Sequence, residues 1–241
     1  MPQLFAGTSG WAYTTWKPEF YPVKLAQKKC LGHYSTKLNT VEVNFTFRQL
    51  VKESTIQNWL HDTPLHFRFG IKAHQVITHI KRLKGTEDFV PRFLATIEPL
   101  AAAGRLGPVL FQLPPNLKAD PVLLKDFLAI LPRTLPAAFE FRHASWFSDS
   151  TWDLLKSNSV ALCVAETETL TTPEIATAAF VYYRFRKPSY SGEERLSMID
   201  RIAQHIEAGR DVFAYFKHEE TPEGALYAVE LLREVGSAER S

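Results

Sequence analysis

Thr40-Val41-Glu42-Val43-Asn44 reads as a β-strand with two different faces. Side chains alternate across a strand, so Val41 and Val43 share one face while Glu42 and Asn44 share the other. The same pattern recurs along the chain. Lys72 ends Phe67-Arg68-Phe69-Gly70-Ile71-Lys72, and Gln112 sits in Val109-Leu110-Phe111-Gln112-Leu113. Glu140 and Arg142 alternate with Phe139 and Phe141, and Arg184 lies between Tyr183 and Phe185. A buried charge is costly unless it is paired or used, so five strands with this habit point to one shared polar interior.

Working outward, eight runs rich in Val, Phe, Tyr and Leu read as strands: Leu4–Ser9, Thr40–Phe45, His66–Lys72, Pro108–Leu113, Ala138–Arg142, Val160–Ala165, Phe180–Arg184 and Val212–Phe216. Helical patterns separate them, at Lys24–Leu38, Glu53–His61, Asp88–Ala103, Asp120–Leu131, Ser148–Asn158, Pro173–Thr177, Glu193–Ala208 and Pro222–Val235. Pro173–Thr177 is the shortest, barely a turn and a half. Gly209 and Gly236 are expected to stop the last two helices. Strands that alternate with helices pair in parallel, because parallel neighbours need a crossover. Eight of them predict an α/β fold of one domain, residues 1–241, closed as a (β/α)8 TIM barrel. No G-x-G-x-x-G or G-x-x-x-x-G-K-[ST] run follows a strand, which counts against a dinucleotide or P-loop fold.

Composition bounds the rest. The 241 residues are 45% hydrophobic and 22% charged, ordinary for a globular chain with a sizeable core. The net charge of +2 makes no strong demand for nucleic acid or an anionic membrane, so any anion preference must be local. Cys30 and Cys163 have no disulfide or metal-ligand spacing. No apolar run reaches membrane-span length, and strand-like residues begin at Leu4. These features together predict a cytoplasmic protein.

In a TIM barrel the C-terminal strand ends form the mouth where active sites lie. Alternation places Glu42, Asn44, Lys72, Gln112, Glu140, Arg142 and Arg184 on the inward face. The cations outnumber the carboxylates, more so if Arg68 or Arg186 contributes. One reading is a site for a small phosphate- or carboxylate-bearing ligand. The other is an ion-pair network that merely fills the barrel. Glu42 and Glu140 are candidate acid/base groups, and each is equally a counter-ion. Lys72 is a candidate for proton transfer, a Schiff base, an anion clamp or a salt bridge. His74, His79, His143 and His218 with Glu42, Glu140 and Glu166 offer metal-ligand types, but no pair has a metal-motif spacing. No metal and no cofactor are expected. Trp11, Tyr13, Trp16 and Tyr21 follow the first strand and either stack on a ligand or pin their own loop. Trp146 and Phe147 carry the same ambiguity.

Several runs, in order, resemble the YecE-like family, domain of unknown function 72. They are Gly7-Thr8-Ser9-Gly10-Trp11, Thr40-Val41-Glu42-Val43-Asn44, Phe69-Gly70-Ile71-Lys72-Ala73, Gln112-Leu113-Pro114-Pro115, Glu140-Phe141-Arg142-His143-Ala144-Ser145-Trp146, Tyr183-Arg184-Phe185 and Tyr190-Ser191-Gly192. The resemblance implies a TIM barrel. With Arg142, Arg184 and Lys72 expected to hold an anion and Asn44 and Gln112 to orient it, His143, Trp11 and Tyr190 complete the candidate ligand contacts. It supplies no reaction. Its likeness to endonuclease-IV-like and sugar-isomerase-like barrels is analogy at the level of fold. This chain departs from the family pattern at Phe45-Thr46-Phe47-Arg48-Gln49, at Arg186-Lys187 where His-Gly is usual, and at Phe216-Lys217-His218 where Phe-Asn-Asn is usual. The last two departures make the mouth more basic. Three functions therefore stand as expectations: an enzyme acting on a small anionic substrate, a non-catalytic metabolite-binding barrel, and a nucleic-acid hydrolase.

Overall fold

The computed structural model describes residues 1–166, 170–217 and 220–238, the last two without their side chains. Eight parallel strands form one sheet: β1 (Leu4–Thr8), β2 (Thr40–Val43), β3 (Arg68–Lys72), β4 (Leu106–Gln112), β5 (Ala137–Glu140), β6 (Ala161–Ala165), β7 (Phe180–Phe185) and β8 (Asp211–Phe216). Their order is β1-β8-β7-β6-β5-β4-β3-β2. Seven helices alternate with them: α1 (Cys30–Tyr34), α2 (Glu53–Asp62), α3 (Phe89–Ala102), α4 (Pro121–Ile130), α5 (Asp149–Ser157), α6 (Gly192–Glu207) and α7 (Glu223–Ala238). This is the expected (β/α)8 arrangement, closed at the β1–β2 seam.

That seam is built differently from the rest. β1 and β2 share one bridge, Ser9 with Glu42, beside a 2.9 Å bond from Gly10 N–H to the Glu42 carbonyl. Below it, side chains stand in for the ladder. Asn39 accepts from Ala6 N–H at 2.9 Å and donates to the Leu4 carbonyl at 2.7 Å. The Tyr34 hydroxyl accepts from Thr8 N–H at 2.8 Å and donates to the Thr40 carbonyl at 2.9 Å. Gly7 leaves the room for this, since a Cβ there would lie 2.7 Å from the Tyr34 oxygen and 2.0 Å from the Thr40 carbonyl.

Two apolar layers follow from strand alternation. Val41, Val43, Phe69, Ile71, Phe111, Phe139, Phe141, Tyr183 and Phe185 pack outward under the helices. Phe5, Leu110, Ala138, Ala161, Cys163, Tyr182, Phe213 and Tyr215 fill the barrel. The interior is lopsided, with alanines on β5 and β6 facing aromatics from β1, β7 and β8. Phe5 stacks on Phe213 at 4.6 Å, and Tyr182 meets Tyr215 at 5.1 Å. Gly70 makes space for the Tyr215 hydroxyl, which would sit 2.5 Å from a Cβ at that position.

Four expectations from the sequence are corrected. No helix forms at Pro173–Thr177; the segment is an extended strap. The Thr177 hydroxyl bonds Leu162 N–H and the Val160 carbonyl, and Thr172 bonds Ala165, so the strap satisfies β6 backbone that a helix would leave unpaired. Glu174 then ties the strap to Tyr183, Arg201 and His205. The first helix is confined to Cys30–Tyr34, preceded by a 3-10 turn at Gln27–Lys29. Gly236 does not stop α7, which runs through it to Ala238. Helix α6 begins at Gly192, because Ser191 and Glu194 form a reciprocal capping box.

Tyr34→Phe strands a buried N–H and a buried carbonyl at the seam. It is expected to cost about 1–3 kcal/mol, read as a lower urea midpoint with an unchanged slope.

Candidate functional site

Inside the C-terminal half of the barrel, Arg184 from β7 is 2% exposed and grips two carboxylates that are themselves fully buried. Its Nη2 donates to Glu42 Oε1 at 2.6 Å, and its Nη1 donates to Glu140 Oε2 at 2.6 Å. The remaining acceptor positions are filled. Ser9 Oγ donates to Glu42 Oε1 at 2.7 Å, and the Tyr182 hydroxyl donates to Glu42 Oε2 at 2.7 Å. Gln112 Nε2 donates to Glu140 Oε1 at 2.8 Å. Arg186, one alternation further up β7, reaches Glu140 Oε2 at 3.5 Å. Strands β1, β2, β4, β5 and β7 are thus joined across the lumen.

The electrostatics follow from these contacts. Burial by itself raises the Glu42 carboxyl, but the charge and hydrogen bonds of Arg184, with Tyr182 and Ser9, outweigh it and hold the group below the usual carboxylate range. Burial opposes the charge on Arg184, and the carboxylates of Glu42 and Glu140 more than restore it. Glu42 and Glu140 against Arg184 and Arg186 leave this layer close to neutral.

Lys72 ends β3 outside that balance. Its Nζ lies 4.4 Å from the Phe47 ring centroid. Among the described residues it makes no hydrogen bond or ion pair. Burial, then the Arg184 charge, lowers its pKa to about 8, against the opposing pull of Glu42 and Glu140 and with a further push from Lys217. Arg142 stands just beyond β5, lining a cavity of about 90 Å³ with Glu140, Pro115, Phe141 and Thr172. It too has no ion pair among the described residues. The Nε–H groups of Arg184 and Arg186 are buried without an acceptor among the described residues.

The five charges that alternation placed inward therefore converge, but they divide the work differently from expectation. Arg184 is charge-balanced by two carboxylates through its Nη groups, its Nε–H aside, so the cations with charge left over are Arg142, Arg186 and Lys72. Glu42 and Glu140 are locked as acceptors. Arg68 lies at the other end of β3, with its guanidinium bonded to the Leu65 and His66 carbonyls.

Other candidates sit outside this cluster. Trp11 meets Trp59 edge-on at 5.8 Å and, with Asn44, Tyr13 and Phe45, lines a separate aromatic cavity of about 380 Å³. Trp16 and Tyr21 are fully buried and stacked on each other, which fits a loop pinned by its own aromatics. The Tyr190 ring packs in the outer layer against Phe185, Phe216 and Tyr227, and its hydroxyl bonds Glu166. His143 accepts from Ser145 N–H and caps the turn at Ala144–Trp146, while Trp146 packs on Phe141. His74 holds the Val76 N–H in a similar way. Glu166 pairs with Arg201, and His218 lies outside the described residues. Among the described residues no three His, Cys, Asp or Glu side chains gather as a metal site would need.

One group was read from the sequence only as a metal-ligand type. His79 closes a single π-helical turn, Val76–Ile80, after β3, a geometry that often marks functional sites. Its ring meets the edge of Phe47 at 4.9 Å, the same ring that lies under Lys72. Burial, then the charges of Lys72, Arg142 and Arg82, holds the imidazole below its ordinary pKa and so favours its neutral form. Just beyond, Arg82 and Leu83 occupy the left-handed region at φ 50° and 70°, a strained connection that fixes how this loop leaves the mouth.

Arg184→Met removes the cation between two buried carboxylates and is expected to cost about 3–5 kcal/mol. Adding Glu42→Gln and Glu140→Gln to that variant is expected to recover most of the loss in urea titrations. Lys72 behaves in the opposite sense. Its pKa in the fold, about 8, lies below its ordinary 10.5. Stability tied to its neutral form is complete above the higher value and is lost as pH falls through the lower. Lys72→Met is therefore expected to melt above the native protein near neutral pH, with the gap closing as the pH rises from about 8 toward 10.5. A gap that is constant with pH, or of opposite sign, contradicts this assignment.

Comparison with known proteins places this architecture. The chain is 30% identical to the protein YunF, UPF0759, of Bacillus subtilis over 151 residues, 60% of this chain and 52% of that protein. It is also 30% identical to the protein YecE, UPF0759, of Escherichia coli K12 over 146 residues, 60% of this chain and 50% of that one. The chain thus spans about half the length of the curated relatives it matches. Among solved structures, a DUF72 protein of Thermotoga maritima superposes with a TM-score of 0.86 at 24% identity, covering 97% of this chain and 99% of its own. A second, from Enterococcus faecalis, gives 0.77 at 16% identity and 98% coverage of both. At those identities the likeness speaks for the fold. The family model described as protein of unknown function DUF72 matches residues 5–241, and the chain belongs to that family.

Proposed function

We propose that the mouth of this barrel binds a small ligand bearing a phosphate or carboxylate, and that Lys72 moves a proton on it. The observation that carries this reading is a charge surplus. Glu42 and Glu140 are matched by Arg184 and Arg186, which among the described residues leaves Arg142 and Lys72 without an ion pair above a neutral layer. A half-buried ammonium with no counter-ion is costly unless it is used, and an anion is the partner that relieves it. The buried Nε–H of Arg186 supports the same reading, because a guanidinium edge without an acceptor suits an incoming oxyanion. In this arrangement Arg142 and Arg186 bind the anion. Gln112 and Arg184 hold Glu140 in place, and Lys72, near its pKa, gives or accepts the proton.

Several finer points belong to the same proposal. No helix among the described residues is long and apolar enough to cross a membrane, and two free buried cysteines fit a reducing cytoplasm. The net charge of +2 favours a small ligand over a nucleic-acid backbone.

The test is a thermal-shift titration with inorganic phosphate, sugar phosphates and short organic acids, comparing the native chain with Arg142→Ala and Arg186→Ala. A ligand at about a hundred times its Kd stabilises by about 2.7 kcal/mol. For a domain of this size that is a rise of roughly 5–10 °C. Stabilisation that the two variants lose supports the site. Equal stabilisation of all three proteins, or of none, removes it.

A further inference from the structure

We propose that Lys72 is a carbonyl-capturing amine, forming an imine with an anionic aldehyde or ketone bound in the mouth. This rests on the anion-binding reading above and gives its ligand a second functional group.

Geometry carries the argument. A lysine that serves only as a counter-ion sits against a carboxylate, and among the described residues Lys72 has no ion pair. Its closest carboxylates are committed elsewhere, each held by Arg184 at 2.6 Å. What faces its nitrogen is the Phe47 ring, 4.4 Å from the centroid. An aromatic face accommodates an ammonium, but it also accommodates the neutral amine and the planar imine that follows. The position at the C-terminal end of β3 aims the side chain at the mouth, where catalytic groups of such barrels stand.

The chemistry closes without any further reagent. The amine lone pair attacks the carbonyl carbon, a C–N bond forms, and the carbonyl oxygen takes up a proton to give a carbinolamine. Loss of that oxygen as water, together with the remaining proton on nitrogen, forms the C=N bond. No electrons are gained or lost overall. The steps need a group that accepts and returns a proton, and His79 fits. Its Nδ1 is held by Thr78 Oγ1 at 2.9 Å, its ring abuts the same Phe47, and its environment keeps it neutral. The environment of Lys72 suits a nucleophile too. With its pKa near 8, about a tenth of the amine is neutral at pH 7, far more than for a surface lysine. Arg142 and Arg186 would hold the anionic end while the carbonyl meets Lys72.

The experiment treats the full chain with pyruvate, dihydroxyacetone phosphate and glyceraldehyde 3-phosphate in the presence of borohydride. Neutral glyceraldehyde and acetone serve as controls. Intact mass and peptide mapping then locate the reduced adducts. Labelling of Lys72 is expected to exceed that of surface lysines by tenfold or more, since its neutral fraction at pH 7 is roughly three-hundred-fold larger and the lower basicity of its amine takes back part of that gain. It is expected to disappear in Lys72→Arg, to slow in His79→Ala, and to weaken in Arg142→Ala for the anionic probes alone. Mapping on the native chain makes the result independent of how the variants fold. If Lys72 is labelled no faster than surface lysines by every probe, the imine is overturned, even where phosphate still raises the melting temperature and the anion site survives. If Lys72 is labelled selectively but equally by neutral and anionic probes, and Arg142→Ala changes nothing, the reactive lysine stands and the anion-binding reading falls.

Discussion

The guanidinium of Arg184 is the element on which the upper barrel depends. Moving one arginine and two glutamates out of water costs several kcal/mol for each ion. That cost is tolerable only when every lone pair and every N–H has a partner at good distance. The structure nearly achieves this, with Ser9 and Tyr182 on Glu42 and Gln112 on Glu140. Each of those partners comes from a different strand, so satisfying the charges also sets the strand positions. Glu42 does double duty: its carbonyl receives the Gly10 N–H at the seam while its carboxylate receives Ser9 and Arg184. The joint of the barrel where the side chain of Tyr34 replaces part of the ladder is therefore backed by a buried ion pair.

The same network sets the charge that the proposed ligand would meet. Because Arg184 is consumed by carboxylates, it does not compete for a ligand. Because Glu42 and Glu140 are held by Arg184, they only partly offset the burial of Lys72. The lower layer insulates the upper one. Arg186 bridges the two, touching Glu140 at 3.5 Å while keeping its Nε–H free of any described acceptor.

Much of this was legible in the sequence, for a physical reason. Strand alternation has a period of two, so a charge next to a buried valine or phenylalanine must face the lumen. That rule placed Glu42, Lys72, Gln112, Glu140 and Arg184 correctly from their neighbours alone. It was silent about pairing, because pairing depends on which strands are adjacent and at what height. Hence Arg184 was read as an anion clamp, though geometry makes it the keystone of an ion-pair layer. It was silent about loops as well. His79 follows no periodicity, and only the π-turn after β3 reveals that it shares Phe47 with Lys72. Tyr190 shows the same limit, since a tyrosine just past β7 could turn to either side and packs outward. The missing sixth helix has a composition signal that was available. Thr172, Pro173 and Thr177 favour an extended chain whose hydroxyls bond backbone, and propensity alone argued against a helix there.

Lys72 remains the residue the fold does least to accommodate. Nearly every other buried ionisable group in the barrel has been given partners that favour its native charge state. Lys72 has instead been given a nearby guanidinium and partial burial, both of which work against its charge, with only the face of an aromatic ring beside its nitrogen. A sequence optimised only for stability would place methionine or leucine at the end of β3. Local arrangements that lower stability concentrate where function requires them. The neighbouring strain at Arg82 and Leu83 belongs to the same loop. Two costs therefore lie close together after β3, neither needed to pair the strands, and the proposed chemistry rests on that segment rather than on the more conspicuous carboxylates beneath it.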